Sequence, residues 1–192
     1  PGQLLIDGHD INRIPLNVLR ENIGYVPQNN FLFSNNISKN IAFSAPEIIS
    51  QKKVEQAARD AEVYDNIIDF PEGFNTLLGE RGVNLSGGQI QRISIARALI
   101  KDPKILILDD SLSAVDTHTE ELILNRLNEM MKDKTSIIIS HRISTIKNAD
   151  KIFVLDDGYL IEQGDHESLI KNQNLYYELY QKQQLEEKIA NS

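Results

Sequence analysis

The chain has 192 residues, 41% of them hydrophobic and 25% charged, the composition of an ordinary globular protein with a sizeable core. A formal net charge of −8 argues against a broad nucleic-acid-binding surface, and the absence of cysteine excludes disulfides and thiol chemistry. No apolar run approaches the ~20 residues that a membrane-spanning helix requires.

Gln3-Leu4-Leu5-Ile6 reads as a strand that turns at Asp7-Gly8. A sequence that opens on Pro1 and is already a strand at residue 3 is expected to cut into a domain. Pro15 suits the start of a short helix through Leu16 and Leu19, and Ile23-Gly24-Tyr25-Val26 reads as a short buried strand stopped by Pro27-Gln28. Residues 29 to 45 mix polar side chains with Phe31, Phe33 and Phe43. From Ser50, a suitable N-cap, Val54, Ala57, Ala58 and Ala61 recur at helical spacing. A second helix is expected over 89–100, with Ile90, Ile93, Ala96 and Ile100 on one face and Gln91 and Arg92 pointing elsewhere; Asp102-Pro103 ends it. Ile105 to Leu108 is a continuous apolar strand, as expected where helices cover both faces. Thr117 to Lys132 reads as a helix, Ile137 to Ile139 as the next buried strand, and this βαβ rhythm implies parallel neighbours. Two runs flanking Asp156-Asp157-Gly158 form a hairpin, and a charged amphipathic helix is expected from Glu167 to about Ile189.

Leu85-Ser86-Gly87-Gly88-Gln89 stands directly before the second helix. Such a helix start leaves backbone N–H groups free and carries the positive end of the helix dipole, so it suits a phosphate. Ser86 can cap, while Gly87 and Gly88 permit close approach to the backbone. Ligands in open α/β sheets lie beyond the carboxyl ends of the strands, and three strands here deliver Gln28, the pair Asp109-Asp110, and Ser140-His141 to that edge. Asp109 suits a Mg²⁺ ligand, which needs one or two carboxylates beside phosphate and water, but a capping or turn aspartate is the competing reading. His141 also fits a structural strand-end histidine, and Asp116 also fits a plain N-cap for the helix at Thr117.

Leu85 to Gln89, Ile105 to Asp110, Ser113 to Asp116 and His141, in that order and spacing, resemble the ATP-binding cassette (ABC) ATPases over essentially the whole chain. The resemblance implies an α/β, P-loop NTPase-like core with a mostly parallel sheet and an inserted helical subdomain. The expected layout is a cut part of the core over 1–30, the helical subdomain over 31–103 and the rest of the core over 104–192. ATP and Mg²⁺ are the implied ligands. Asp109 and Gln28 attend the metal, Asp110 takes the position of the residue that polarises the attacking water, and His141 that of the γ-phosphate switch. Ser86, Gly87, Gly88 and Gln89 meet the nucleotide of an opposite subunit, and Ser113, Ala114 and Asp116 line the dimer seam.

Thr76, Gly79, Glu80 and Arg81, within Thr76 to Gly82, resemble the exporter segment that touches the membrane domain. The implied partners are a transmembrane domain upstream in the same polypeptide and a second nucleotide-binding domain, on the cytoplasmic face of the cell membrane. No Gly-x-x-x-x-Gly-Lys-Ser/Thr occurs in these residues, so the N-terminal strands and Walker A loop are expected upstream and the isolated chain is expected to bind ATP weakly. Family members usually carry Glu where this chain has Asp110, one methylene shorter. That departure favours a heterodimer with one weak site, or a regulatory clamp with little hydrolysis of its own. A DNA-directed member of the family is disfavoured by the acidic charge and the lack of long heptad runs.

Overall fold

The computed structural model describes residues 2–45, 48–79 and 85–190, excepting the side chains of Glu187 and Ala190. The chain forms two compact units, Pro1–Ile138 and Ile139–Ser192. Among the described residues no helix is long and apolar enough to cross a membrane.

The first unit opens on an antiparallel hairpin of β1 (Leu5–Ile6) and β2 (His9–Asp10), turned through the left-handed residues Asp7 and Gly8. Helix α1 (Leu16–Asn22), entered at Pro15, leads into β3 (Ile23–Val26). Three helices follow: α2 (Ile37–Ala42), α3 (Gln51–Asp60) and α4 (Tyr64–Ile68). The Asn36 side chain caps α2 and Ser50 caps α3, each accepting the N–H three residues on. Helix α5 (Gly87–Leu99) starts two residues earlier than its apolar period suggests. After β4 (Ile105–Asp109) come α6 (Thr117–Met130), capped by Asp116, and β5 (Thr135–Ile139).

The sheet order is β3-β4-β5, and β3 runs parallel to β4 with Val26 opposite Leu108. Side chains alternate across a strand, so Val26, Leu106 and Leu108 enter the core while Tyr25, Ile105 and Ile107 face the other way. The sequence expectation that helices cover both faces is corrected here. Ile105 and Ile107 are half-buried, and Ile137 and Ile139 on β5 are exposed, because only one face is packed among the described residues. On that face Ile93, Ile95 and Ala96 of α5 join Val54 and Ala58 of α3, Ile37 and Ile41 of α2, and Ile123 of α6 in one core.

Arg97 ties this core to the segment after β3. Its guanidinium donates to the carbonyls of Asn40 (2.8 Å) and Phe31 (2.8 Å) and to Asn40 Oδ1 (2.9 Å). The fully buried Asn40 also accepts the Phe33 N–H and donates to Phe33 O, so its amide is satisfied. Burial among carbonyls pushes the Arg97 guanidinium below its ordinary value.

The second unit holds α7 (Ile143–Ile146), the antiparallel hairpin β6 (Ile152–Asp156) and β7 (Tyr159–Gly164), α8 (His166–Asn172) and α9 (Leu175–Ala190). Its core is Ile143, Ile152, Val154, Leu169 and Tyr176. The single helix expected from Glu167 to Ile189 is two helices, since Gln173 takes a left-handed conformation (φ 56°) and ends α8.

Gly24 marks how tightly β3 sits against its neighbours: a Cβ there would lie 2.9 Å from Pro103 Cγ and 3.0 Å from the Ala98 carbonyl oxygen. Gly24→Ala is expected to destabilise the domain by about 1–3 kcal/mol, read as a lowered unfolding midpoint in the protein that carries it. An unchanged midpoint would show that the strand can shift to make room.

Candidate functional site

The parallel pairing of β3 with β4 sets the ends of both strands side by side. Beyond β3, Gln28 Nε2 lies 3.4 Å from Asp110 Oδ2, a long hydrogen bond. From within β3, the Tyr25 hydroxyl donates to Asp109 Oδ2 at 3.2 Å. Partial desolvation, and then the Asp109 carboxylate, hold the Tyr25 hydroxyl above the ordinary phenol range, so it remains a donor. Asp110 has a φ of 43°, a left-handed conformation that asparagine and aspartate tolerate better than most residues. The backbone bends there, immediately after the strand, and the next turn begins with Ser113 Oγ donating to the Asp110 carbonyl at 2.9 Å.

The glycine-rich helix start has its own capping box. Ser86 Oγ accepts the Gln89 N–H (3.2 Å) and Gln89 Oε1 accepts the Ser86 N–H (2.9 Å). Ser86 and Gly87 are exposed, while Gly88 and Gln89 are half-buried. A Cβ on Gly88 would lie 2.9 Å from the Ala114 carbonyl oxygen, whereas one on Gly87 would lie 3.4 Å from Ala114 Cβ. Gly88 is therefore required by the fold itself, because the turn after β4 rests on the helix backbone.

Gln91 completes this contact and corrects the sequence expectation that it points away. It is 6% exposed; its Nε2 donates to Ser113 Oγ at 3.2 Å and its Oε1 accepts the Ala114 N–H at 3.0 Å. A polar side chain between apolar positions of a helix reads as solvent-facing unless its tertiary partner is known, and here the partner is a turn 22 residues on. Arg92 keeps its Nε on the Gly88 carbonyl (3.3 Å). Asp116 accepts the Thr119 N–H at 3.0 Å, a bond that holds its carboxyl below the usual carboxylate range.

The structure thus brings Gln28 to Asp110, next to Asp109, at one sheet edge, and sets Gly87 and Gly88 against Ala114, with Gln91 holding Ser113. His141 lies in the second unit, exposed at the residue after Ser140. Thr76 is buried, and Gly79 packs on Ser34, whose Oγ would be 2.8 Å from an added Cβ. Glu80 and Arg81 fall outside the described residues. Among the described residues no three His, Cys, Asp or Glu side chains converge as a closed metal cage. Mg²⁺ needs no such cage, since one carboxylate at a strand end, as at Asp109, can serve where phosphate and water complete the sphere.

An α/β sheet edge with an acidic pair, beside a capped glycine helix start, defines a nucleotide-binding class of protein. The profile of the ABC transporter family matches residues 1–113, and the chain belongs to that family. It is 47% identical over 189 residues to an ATP-dependent lipid A-core flippase of Syntrophus aciditrophicus (strain SB), covering 98% of this chain and 31% of that protein. It is 46% identical over 184 residues to a Staphylococcus aureus (strain NCTC 8325 / PS 47) protein named, provisionally, as a multidrug export ATP-binding/permease protein, covering 96% and 32%. The solved structure of a bacterial Atm1-family ABC exporter with ATP bound superposes with a TM-score of 0.90 at 44% identity, over 95% of this chain and 32% of that one. The chain has the ABC ATPase fold, and spans about a third of the length of the curated relatives it matches.

The geometry separates the two glycines experimentally. Gly88→Ala is expected to destabilise the domain by about 1–3 kcal/mol, because the Ala114 carbonyl must move. Gly87→Ala is expected to stay within ~0.5 kcal/mol. Denaturant unfolding of the two variants checks this, and equal losses would contradict the packing described.

Proposed function

We propose that the chain is the ATP-binding and ATP-hydrolysing domain of an ABC exporter, coupling nucleotide binding and hydrolysis to movement of a substrate across a membrane. The observation that carries this reading is the β3–β4 pairing, which sets Gln28 within reach of Asp110 and the Tyr25 hydroxyl on Asp109 at the carboxyl edge of the sheet. Asp109 is the metal-holding carboxylate and Gln28 its neighbour. Bound Mg²⁺ would neutralise charge on the β- and γ-phosphates. Asp110 orients the attacking water, and His141 contacts the γ-phosphate.

The first turn of α5 offers its unpaired N–H groups at Gly87 and Gly88, with Ser86 and Gln89, to the nucleotide of an opposite subunit. Ser113, Ala114 and Asp116 then lie at the seam between two nucleotide-binding domains. The membrane partner is a transmembrane domain of the same polypeptide, contacted around Thr76, Gly79, Glu80 and Arg81 at the cytoplasmic face. Exposed apolar surface near that segment supports a partner there: Phe31 and Phe43 flank Phe33, with centroids 5.2 and 4.2 Å from its ring, and Leu77 is 60% exposed. The relatives' names include a lipid flippase and a multidrug exporter, both movers of substrates across membranes.

Asp110 favours a second reading of the same site. An aspartate reaches one methylene less than a glutamate, and a base ~1 Å from its place costs about a hundredfold in rate. On that reading this half clamps ATP and donates its glycine helix to a competent site on a different partner, so a heterodimer is favoured.

ATP turnover of the intact complex tests both. Asp109→Asn is expected to abolish Mg²⁺-dependent turnover at this site, and Asp110→Glu to raise that site's turnover at least about tenfold. Turnover unchanged by Asp110→Glu would contradict the weak-site reading, and turnover retained by Asp109→Asn would contradict the catalytic assignment itself.

A further inference from the structure

We propose that Gln183, on α9, is a positioning residue that fixes the backbone on either side of His141. The amide spans the segment with both of its ends. Gln183 Nε2 donates to the His141 carbonyl at 2.6 Å, and Gln183 Oε1 accepts the Ile143 N–H at 2.8 Å. Ile143 is the first residue of α7, and its N–H is one of the donors that a helix leaves without an intrahelical partner. Arg142, at the N-cap position, supplies no side-chain cap. Gln183 therefore caps α7 from 40 residues away, while its other end holds the carbonyl of the histidine. Ser140 Oγ accepts the Arg142 N–H at 2.9 Å and braces the same segment from its other end.

The helix that carries Gln183 is itself anchored. Tyr176, seven residues earlier and so on the same helix face, is 2% exposed in the second core. Its hydroxyl bonds His166 Nδ1 at 2.8 Å and its N–H donates to Glu162 Oε1 at 2.9 Å. Desolvation, then the neighbouring Tyr180, hold its hydroxyl up at about 12, so it stays protonated. The anchored Tyr176 sets the register of α9 and hence the reach of Gln183. The imidazole of His141 is left exposed while the peptide units around it are fixed, the arrangement needed by a side chain that must meet a ligand at one point. Glutamine suits the position because the segment presents one acceptor and one donor, and a neutral amide carries the complementary donor and acceptor on two separate atoms.

This inference rests on the assignment of His141 to the γ-phosphate given above, and the experiment keeps the two apart. In the intact transporter, Gln183→Met preserves side-chain volume and deletes both bonds. It is expected to lower ATP turnover at this chain's own site between about tenfold and a hundredfold, with ADP affinity there unchanged because ADP has no γ-phosphate. Gln183→Glu, which keeps the acceptor and loses the donor, is expected to fall between Gln183→Met and the unsubstituted protein. In a His141→Ala background, adding Gln183→Met is expected to cost no further turnover. Unchanged kcat in Gln183→Met, a parallel fall in ADP affinity and melting temperature, or an additive loss in the His141→Ala background would each overturn the positioning role alone. Full turnover in His141→Ala by itself would overturn the assignment of the histidine, and this inference with it.

Discussion

The turn that follows the central strand rests on the start of the glycine-rich helix, and the rest of the site is arranged around that contact. Gly88 lets the Ala114 carbonyl approach, and Gln91 closes the gap with one bond to Ser113 and one to the Ala114 N–H. The same turn begins at Asp110, whose carbonyl holds Ser113 Oγ. These four contacts join Asp110 to the glycine-rich helix start in one block. Buried bonds to a fully engaged amide are costly to break, because the groups left behind lose water as well as partner. The proposed chemistry uses this block: the strand end would face the chain's own nucleotide and the attached helix start that of an opposite subunit.

Two kinds of glutamine do comparable work in different units. Gln91 and Gln183 each use both ends of an amide to hold a loop that follows a strand, the first at Ser113 and Ala114, the second at His141 and Ile143. Loops carry the functional groups, and they need partners outside themselves to stay in one conformation. Arg97 works the same way on the segment after β3, spending its donors on carbonyls of Phe31 and Asn40 rather than on a carboxylate. Half-buried, with no ion pair among the described residues, it is held by geometry and by the fixed dipoles of those carbonyls.

The parts of the fold legible in sequence were those decided locally. Asp7-Gly8 and Asp157-Gly158 turn their hairpins because both residues of each pair take positive φ, and Ser50, Ser86 and Asp116 cap their helices through their own side chains. The position of the acidic pair is legible because it directly follows an apolar strand run. What stayed hidden was decided at a distance. Gln91 lies off the apolar face of its helix and its partner Ala114 is distant in sequence, and nothing local marks Gln183 among the polar positions of a charged helix. The break at Gln173 had no glycine to announce it. Ile137 and Ile139 looked buried because apolar strands usually are, yet burial depends on what packs against the face and not on the strand alone.

Amide hydrogen exchange on the intact transporter, with and without ATP, tests most directly whether the glycine helix start and the turn after β4 form one mechanical block. Residues 86–91 and 111–116 are predicted to gain protection together, and substituting Gln91 to uncouple them. Protection of one segment with the other unchanged in the unsubstituted protein would contradict the account.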